Sequence, residues 1–259
     1  MTPPSSRRKG LRTPPVAIIG DIHGNRQALD AVLRAIRESG AAAVWCLGDL
    51  VGYGADPAYC LATAVSRSDR CLAGNHDLGA TGRVPVSRFS PLAAAAIRWT
   101  RDALAPSARA TLDRLDPADE RDGDGLAPLY HGSPLDPVWE YVFDIPEARA
   151  ALEHRRVPLT FVGHTHVPAA WRLTPDGAME GRVLPRTGVL RLDPGRWLIN
   201  PGSVGQPRDG DARAAWALYR PEDGVVEFRR TPYDVAAAQN AILAAGLPAP
   251  LAHRLAEGR

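Results

Sequence analysis

The chain has 259 residues, which suffices for one large domain or two small ones with a substantial buried core. Its 31 Lys and Arg residues are nearly balanced by 29 Asp and Glu residues, and a net charge of +2 predicts no broad surface for nucleic acid or membranes. No apolar stretch approaches the ~20 residues that a transmembrane helix needs.

The cysteines and the N-terminal segment indicate a cytoplasmic protein. Cys46, Cys60 and Cys71 lie in or beside apolar segments without metal-ligand spacing, so we expect buried free thiols in a reducing compartment. Residues 1 to 14 are basic and lack a signal-peptide apolar region, so they are predicted to form a disordered tail. Residues 15 to 259 are then expected to form a single domain.

The first third of the chain is predicted to alternate strands and helices. A β-branched run at 16–19 indicates a buried strand, and Asn25 is placed to cap a helix that closes at Gly40. A strand at 43–47, a helix from Pro57 and a strand at 70–73 follow. Polar residues follow each strand, and sites on α/β sheets form where strands end.

The remaining elements follow from periodicity and from turn residues. They are predicted, in order, as helices at 90–104 and 107–115, a solvated loop at 117–125, a strand at 126–130, a helix at 146–155, a strand at 159–162, antiparallel strands within 169–228 and a helix at 233–245. The 117–125 loop is expected to tolerate change, because it is acidic and contains glycine.

Residues suited to metal binding collect after five of the predicted strands. They are Asp21, His23, Asp49, Asn75, His131, His164 and His166. Neutral imidazoles and carboxylates suit manganese, iron, zinc, cobalt or nickel. Seven ligands are too many for one ion with an open position, but they suffice for two ions if one carboxylate bridges. Paired metals ~3.5–4 Å apart are used for displacement at phosphorus.

These residues lie within short motifs whose order resembles a known family. The motifs are Gly-Asp-X-His-Gly at 20–24, Gly-Asp at 48–49, Gly-Asn-His-Asp at 74–77, His-Gly at 131–132 and Gly-His-X-His at 163–166. The series resembles the calcineurin-like metallophosphoesterase superfamily. That resemblance implies an α/β fold, a two-sheet αββα sandwich with helices on both outer faces.

The resemblance also implies a role for each ligand. Asp21, His23 and His166 match ligands of the first metal, and Asp49 matches the bridge. The second metal would be held by Asn75, His131 and His164.

A second set of residues is predicted to act on the substrate. His76 would stabilise a phosphoryl oxygen or protonate the leaving alkoxide. Asp77 is predicted to orient His76 through a hydrogen bond. The nucleophile would be a hydroxide bridging the metals, since bound cations lower the pKa of water from 15.7 to ~7.

The substrate prediction depends on Tyr53. Protein Ser/Thr phosphatases and symmetrical dinucleoside-tetraphosphate hydrolases of the superfamily carry Gly-Asp-X-X-X-Arg-Gly, and Tyr53 stands in place of their arginine. The overall length and the loop at 200–209 resemble the small bacterial phosphodiesterase and phosphatase branch, and phosphodiesters are the predicted substrates. Asn25, Tyr53 and Arg208 are candidate substrate-binding residues.

Two other functions are compatible with the motifs. A phosphomonoesterase acting on nucleotides or proteins would use the same core site. A non-catalytic protein-binding scaffold of this fold is the third possibility, although it would need neither seven ligands nor His76. The expected partner is a small phosphoester, with no stable nucleic-acid partner and no membrane. Oligomeric state and native metal do not follow from the sequence.

Overall fold

The computed structural model of the protein describes residues 13–123, 125–183 and 187–259. Of the predicted tail, only positions 13 and 14 fall within the described residues. The strands are β1 (Val16–Ile19), β2 (Ala43–Cys46), β3 (Arg70–Cys71), β4 (Ala118–Asp119), β5 (Leu129–Tyr130), β6 (Leu159–Val162), β7 (Ala169–Leu173), β8 (Met179–Val183), β9 (Gly188–Arg191), β10 (Arg196–Asn200), β11 (Ala214–Arg220) and β12 (Val225–Thr231). The helices are α1 (Arg26–Ser39), α2 (Pro57–Arg67), α3 (Asn75–Thr81), α4 (Pro91–Ala103), α5 (Pro106–Asp113), α6 (Ile145–His154), α7 (Val235–Ala244) and α8 (Ala249–Glu257).

Within the described ranges the strands form two sheets of six strands each. The first sheet has the order β3-β2-β1-β11-β12-β9, and β1, β2 and β3 are parallel. The second has the order β4-β5-β6-β10-β7-β8, and β5, β6 and β10 are parallel. Each sheet therefore has three adjacent parallel strands, which form one half of the first sheet and the centre of the second, and the remaining strands pair antiparallel.

The core is divided by the alternation of side chains along the strands. Ile18 of β1 packs between the sheets in one cluster with Phe161 of β6. Ile19, the next residue, faces the opposite way and packs with Val32 of α1. On the outer face of the second sheet, Leu198 packs with residues of α6 such as Leu152. Helices thus cover both outer faces, and the predicted αββα sandwich is confirmed.

Most predicted elements are present, with differences at their ends. Residues 70–73 and 126–130 form strands of only two residues each, β3 and β5. Two helices were not predicted. One is α3, which begins at Asn75, and the other is α8, which follows Pro248. No helix of the described chain is long and apolar enough to cross a bilayer.

The 117–125 segment differs from its prediction as a solvated loop. It contains β4, whose Asp119 carboxylate accepts a 2.8 Å hydrogen bond from Nε of Arg70. Arg70 is only 5% exposed and also donates to the Ala127 carbonyl at 2.7 Å. Removing one member of such a pair leaves a buried charge unpaired. The segment is therefore not a solvated loop throughout, and we expect Asp119 to tolerate replacement poorly.

Candidate metal centre

The seven predicted ligands lie where the parallel strands of the two sheets end. Asp21 and His23 follow β1, Asp49 follows β2 and Asn75 follows β3. From the second sheet, His131 follows β5, and two further histidines, His164 and His166, follow β6. All seven side chains are buried. The two sheets therefore bring both halves of the predicted ligand set to one place.

The first group joins ligands from both sheets. One donor atom from each of Asp21, His23, Asp49 and His166 lies within 4.8 Å of the others. The Nε2 atoms of His23 and His166 are 3.0 Å apart. His166 Nε2 is 3.5 Å from Oδ1 of Asp21, and His23 Nε2 is 3.4 Å from Oδ2 of Asp49.

The second group shares Asp49 with the first. Donor atoms of Asp49, His131 and His164 also lie within 4.8 Å of one another. Nε2 of His131 is 3.1 Å from Nδ1 of His164 and 3.2 Å from Oδ1 of Asn75. Oδ2 of Asp49 is 3.6 Å from the same His131 nitrogen. A single carboxylate oxygen is thus shared by the two groups.

Hydrogen bonds behind the ligands fix how three of the imidazoles face the centre. Nδ1 of His23, His131 and His166 lies 3.2, 2.9 and 2.7 Å from the backbone carbonyls of Val51, Leu47 and Gln206, respectively. A carbonyl only accepts, so each Nδ1 is assigned the hydrogen and each Nε2 directs a lone pair inward.

This donor set fits divalent cations. The inward lone pairs of His23 and His166 occupy the same space at 3.0 Å, a repulsive arrangement that a shared cation relieves. Both carboxylate oxygens of Asp21 are buried and accept no hydrogen bond within the described part of the chain. Buried carboxylates without partners are costly, and metal coordination is one of the few ways to satisfy them.

The protonation preferences agree with metal binding by neutral imidazole. Burial lowers the pKa values of His23, His164 and His166 well below their usual range, and His131 shifts in the same direction. Burial also raises the pKa of Asp21 to about 7. Removal from water makes the charged form of each group unfavourable. Nearby cations would therefore be needed to keep the carboxylates ionised.

The backbone is strained at the same positions. Asp21, His23, Asp49, His164 and His166 have φ values of 49°, 50°, 51°, 68° and 60°. Left-handed backbone is uncommon outside glycine and costs of order 1–3 kcal/mol per residue. Five of the seven predicted ligands therefore adopt a conformation that the surrounding structure must enforce. Gly74 shows how tight that enclosure is, because a Cβ there would lie 2.0 Å from Oδ1 of Asp49.

Comparison with known families identifies the superfamily to which this chain belongs. A model of the calcineurin-like phosphoesterase superfamily domain matches residues 15–223. The chain belongs to this superfamily. The predicted family is confirmed. The protein is a member of a family of phosphoesterases, and its own Asp and His groups could hold metal.

Similar proteins span nearly the whole chain. An uncharacterized protein of Methanocaldococcus jannaschii is 37% identical over 249 residues, which cover 94% of this chain and 98% of that protein. The crystal structure of a metallophosphoesterase from Sphaerobacter thermophilus is 37% identical and has a TM-score of 0.83, covering 95% of this chain and 99% of its own. A hypothetical protein from Pyrococcus horikoshii is 21% identical, with a TM-score of 0.75 and coverages of 95% and 98%, and shares the fold.

The Asp77 carboxylate has different hydrogen-bond partners from the one predicted. Its carboxylate accepts hydrogen bonds from the backbone N–H groups of Leu50, Val51 and Gly74, at 2.8 to 3.1 Å. Nδ1 of His76 has no hydrogen-bond partner among the described residues. The structure therefore corrects the predicted Asp77–His76 hydrogen bond. Asp77 instead ties the loop after Asp49 to the start of α3.

Replacing Asp77 with alanine is expected to lower the free energy of unfolding by about 3–5 kcal/mol, because three buried N–H donors lose their acceptor. Urea denaturation at one fixed metal concentration measures this loss. Asp77→Asn keeps one acceptor oxygen and should retain part of the stability. An Asp77→Ala variant as stable as the parent chain would contradict this framework role.

Asn25 also serves the framework. Its Oδ1 accepts from Ala28 N at 3.1 Å and caps α1, and its Nδ2 donates to the Gly205 carbonyl at 2.8 Å. Ser203 in the same 200–209 loop donates to the Asp21 carbonyl at 2.8 Å. Both ends of the Asn25 amide are engaged in these hydrogen bonds, and its role as a substrate contact stays a prediction. The 200–209 loop is held directly behind Asp21, a predicted metal ligand.

Tyr53 and Arg208, the other two predicted substrate-binding residues, lie close to each other beside the predicted ligands. The Tyr53 ring centroid is 4.7 Å from that of His23 and 4.3 Å from that of His76. The Arg208 guanidinium lies 5.9 Å from the Tyr53 ring, and the Arg254 guanidinium lies at the same distance. Arg254 was missed because α8, which carries it, was not predicted. The sequence feature that indicates this helix is the pair of apolar residues Leu251 and Leu255 at helical spacing.

Proposed function

We propose that the protein hydrolyses phosphoesters, and phosphodiesters in particular, with two divalent cations held by the seven ligands. The observation that carries this proposal is the position of Asp49 Oδ2, 3.4 Å from Nε2 of His23 and 3.6 Å from Nε2 of His131. Cations bound there would supply hydroxide at neutral pH and would neutralise charge developing on the phosphoryl group. Manganese, iron, zinc, cobalt and nickel all suit this donor set.

The ligands divide between the cations by proximity. Asp21, His23 and His166 would hold the first, and Asn75, His131 and His164 the second. Asp49 would bridge them, because it is the member common to both groups.

In this proposal His76 acts on the substrate. Its backbone N–H donates to Oδ1 of Asp49 at 2.9 Å, which holds the residue next to the proposed bridge. Its ring packs on Tyr53 and, with centroids 5.3 Å apart, on Phe89. Burial lowers the pKa of His76 well below its usual range, so the ring is neutral and carries one N–H. That N–H would donate to a phosphoryl oxygen or to the leaving oxygen.

Tyr53 supports the choice of diesters. A dianionic monoester favours a fixed cation that grips it with two hydrogen bonds, whereas a tyrosine offers one neutral donor. A monoanionic diester needs less compensation. Arg208 and Arg254 support phosphomonoesters as the second candidate, because both guanidinium groups lie near Tyr53 and add positive charge at this rim.

The two candidates are separated by kcat/KM for methyl p-nitrophenyl phosphate and for p-nitrophenyl phosphate, which share a leaving group. We expect the parent chain to favour the diester. Tyr53→Arg should move the ratio toward the monoester by roughly 10-fold or more, the effect of one charge-assisted hydrogen bond.

Arg37→Ala is the matched control, because Arg37 is an exposed arginine in the last turn of α1. It should leave the ratio unchanged. A parent chain that strongly prefers the monoester, and loses that preference in Arg208→Ala, would establish the monoesterase instead. A chain inactive on both esters with every metal would refute hydrolysis itself.

A further inference from the structure

Two exposed aromatic side chains stand beside the proposed metal centre. Tyr141 is 42% exposed and Phe143 is 55% exposed. Between them, Val142 is 2% exposed and packs into the core beneath α6. Exposure alternates along residues 141–143, with the middle side chain buried and its two neighbours exposed. Val142 anchors the segment, and both aromatic rings are directed to the surface.

The exposed rings continue a stack that starts at a metal ligand. The Tyr141 ring lies 3.9 Å from the His164 ring at an interplanar angle of 10°. Phe143 lies 5.5 Å from Tyr141 at 16°. Three nearly parallel rings therefore run outward from the second ligand group. The outer two rings remain in contact with solvent, so core packing does not explain the stack.

Positive charge accompanies the stack. The Arg208 side chain interacts with the Tyr141 hydroxyl, and its field reaches Asp21 and Asp49 among the ligands. A group bound against the stack would therefore lie next to both the phosphate-binding cations and an arginine. Exposed aromatic faces bind planar rings with little dependence on ring identity, because every such ring has a π-face.

We propose that Tyr141 and Phe143 form an aromatic subsite that stacks on a planar ring carried by the phosphoester substrate, either a nucleobase or an aryl group. This inference deepens the proposed hydrolysis and rests on it for the placement of the phosphate. The subsite binds the substituent that stays on phosphorus, and it distinguishes ring-bearing esters from alkyl esters.

The test uses three diesters that share the p-nitrophenolate leaving group and differ in the other substituent, which is methyl, phenyl or thymidine 5′. Phe143→Ala is the informative variant, because the Phe143 ring contacts Tyr141 while Tyr141 contacts His164. We expect kcat/KM for phenyl or thymidine esters to fall roughly 5- to 100-fold, the range of one aromatic stack. The methyl ester should change less than about twofold, since the substituent that stays on its phosphorus is a methyl group with no ring to stack, and the p-nitrophenyl ring is common to all three esters.

Val189→Ala is the matched control, because Val189 is 70% exposed on the edge strand β9. It should leave all three rates unchanged. A loss confined to the thymidine ester identifies a nucleobase, and a loss on phenyl and thymidine alike identifies any aryl ring. Equal losses on all three esters, or no loss on any, would overturn the subsite.

A binding measurement separates this inference from the hydrolysis on which it rests. Calorimetry on metal-loaded protein compares thymidine 5′-monophosphate with 2-deoxyribose 5-phosphate. If the ring is a nucleobase, Phe143→Ala should weaken the binding of the nucleotide only. A comparison of phenyl phosphate with methyl phosphate tests in the same way whether the ring is an aryl group. These results decide the subsite even if no ester is turned over. Self-association of the parent chain that Phe143→Ala abolishes, with unchanged ligand binding, would assign the two rings to a second copy and overturn the proposal.

Discussion

Replacing His76 with alanine is expected to lower kcat by roughly 10²–10⁴, the range of a general acid or base, with little change in metal content. The reason lies in what the substitution leaves intact. The hydrogen bond to Oδ1 of Asp49 comes from the backbone N–H of residue 76 and survives the change. His76 belongs to neither ligand group, and no described residue bonds its Nδ1. Elemental analysis and turnover measured on the same preparation test both parts.

A series of leaving groups separates proton donation from general damage. A p-nitrophenolate leaving group needs little protonation, whereas an alkoxide needs a proton, so the loss in His76→Ala should be larger for alkyl leaving groups. His154→Ala is the control, because His154 is exposed at the end of α6. Unchanged activity on an alkyl leaving group would make His76 a structural residue. A uniform loss on all leaving groups would favour stabilisation of a phosphoryl oxygen.

The gathering of the ligands within each sheet was predictable from strand direction, and the family resemblance implied that the two groups form one site. β1, β2 and β3 are parallel, so the residues that follow each of them meet at one edge of the sheet. His131 follows a strand paired parallel with β6, which brings it beside His164 for the same reason. The apolar strand runs and the glycines that end them are visible in the sequence.

The partners of individual polar groups were less predictable. Asp77 was expected to bond its neighbour His76, but its carboxylate accepts from Leu50 and Val51, which precede it by 27 and 26 residues. Asp49, immediately before Leu50, has left-handed backbone with a φ of 51°. Asn25 was a correct cap, yet its second hydrogen bond spans 180 residues to Gly205. Long-range pairs of this kind follow from the packing of loops.

The prolines near the C-terminus explain why α8, which lies against the site, was not predicted. Pro248 precedes α8, and Pro250 lies within its first turn, where proline is tolerated because the first N–H groups of a helix have no intrahelical acceptor. The last element predicted from the sequence is the helix at 233–245, so Arg254 was not among the predicted site residues. Leu251 and Leu255 are buried with Tyr53 in one apolar cluster, which places α8 against the site.

Replacing Asp49 with asparagine is expected to deplete both metal positions together. Oδ2 of Asp49 is the atom that approaches both groups, and a neutral amide removes the negative charge that two adjacent cations would share. Asn75→Ala removes a neutral oxygen near His131 and should deplete mainly the second position. Turnover of Asp49→Asn should fall at least as far as that of His76→Ala, by roughly 10²–10⁴ or more. Elemental analysis of the purified variants gives the metal content per chain.

The contrast between the two variants makes the bridging assignment testable. Asp102→Asn provides a control for the change of carboxylate to amide, because Asp102 is exposed on α4. Its metal content should equal that of the parent chain. If Asp49 belonged to one cation only, Asp49→Asn would resemble Asn75→Ala, with one position depleted and the other filled. Full occupancy of both metal positions in Asp49→Asn would contradict the bridging role of the Asp49 carboxylate. A neutral amide oxygen would then be enough for metal binding, and the negative charge would not be required.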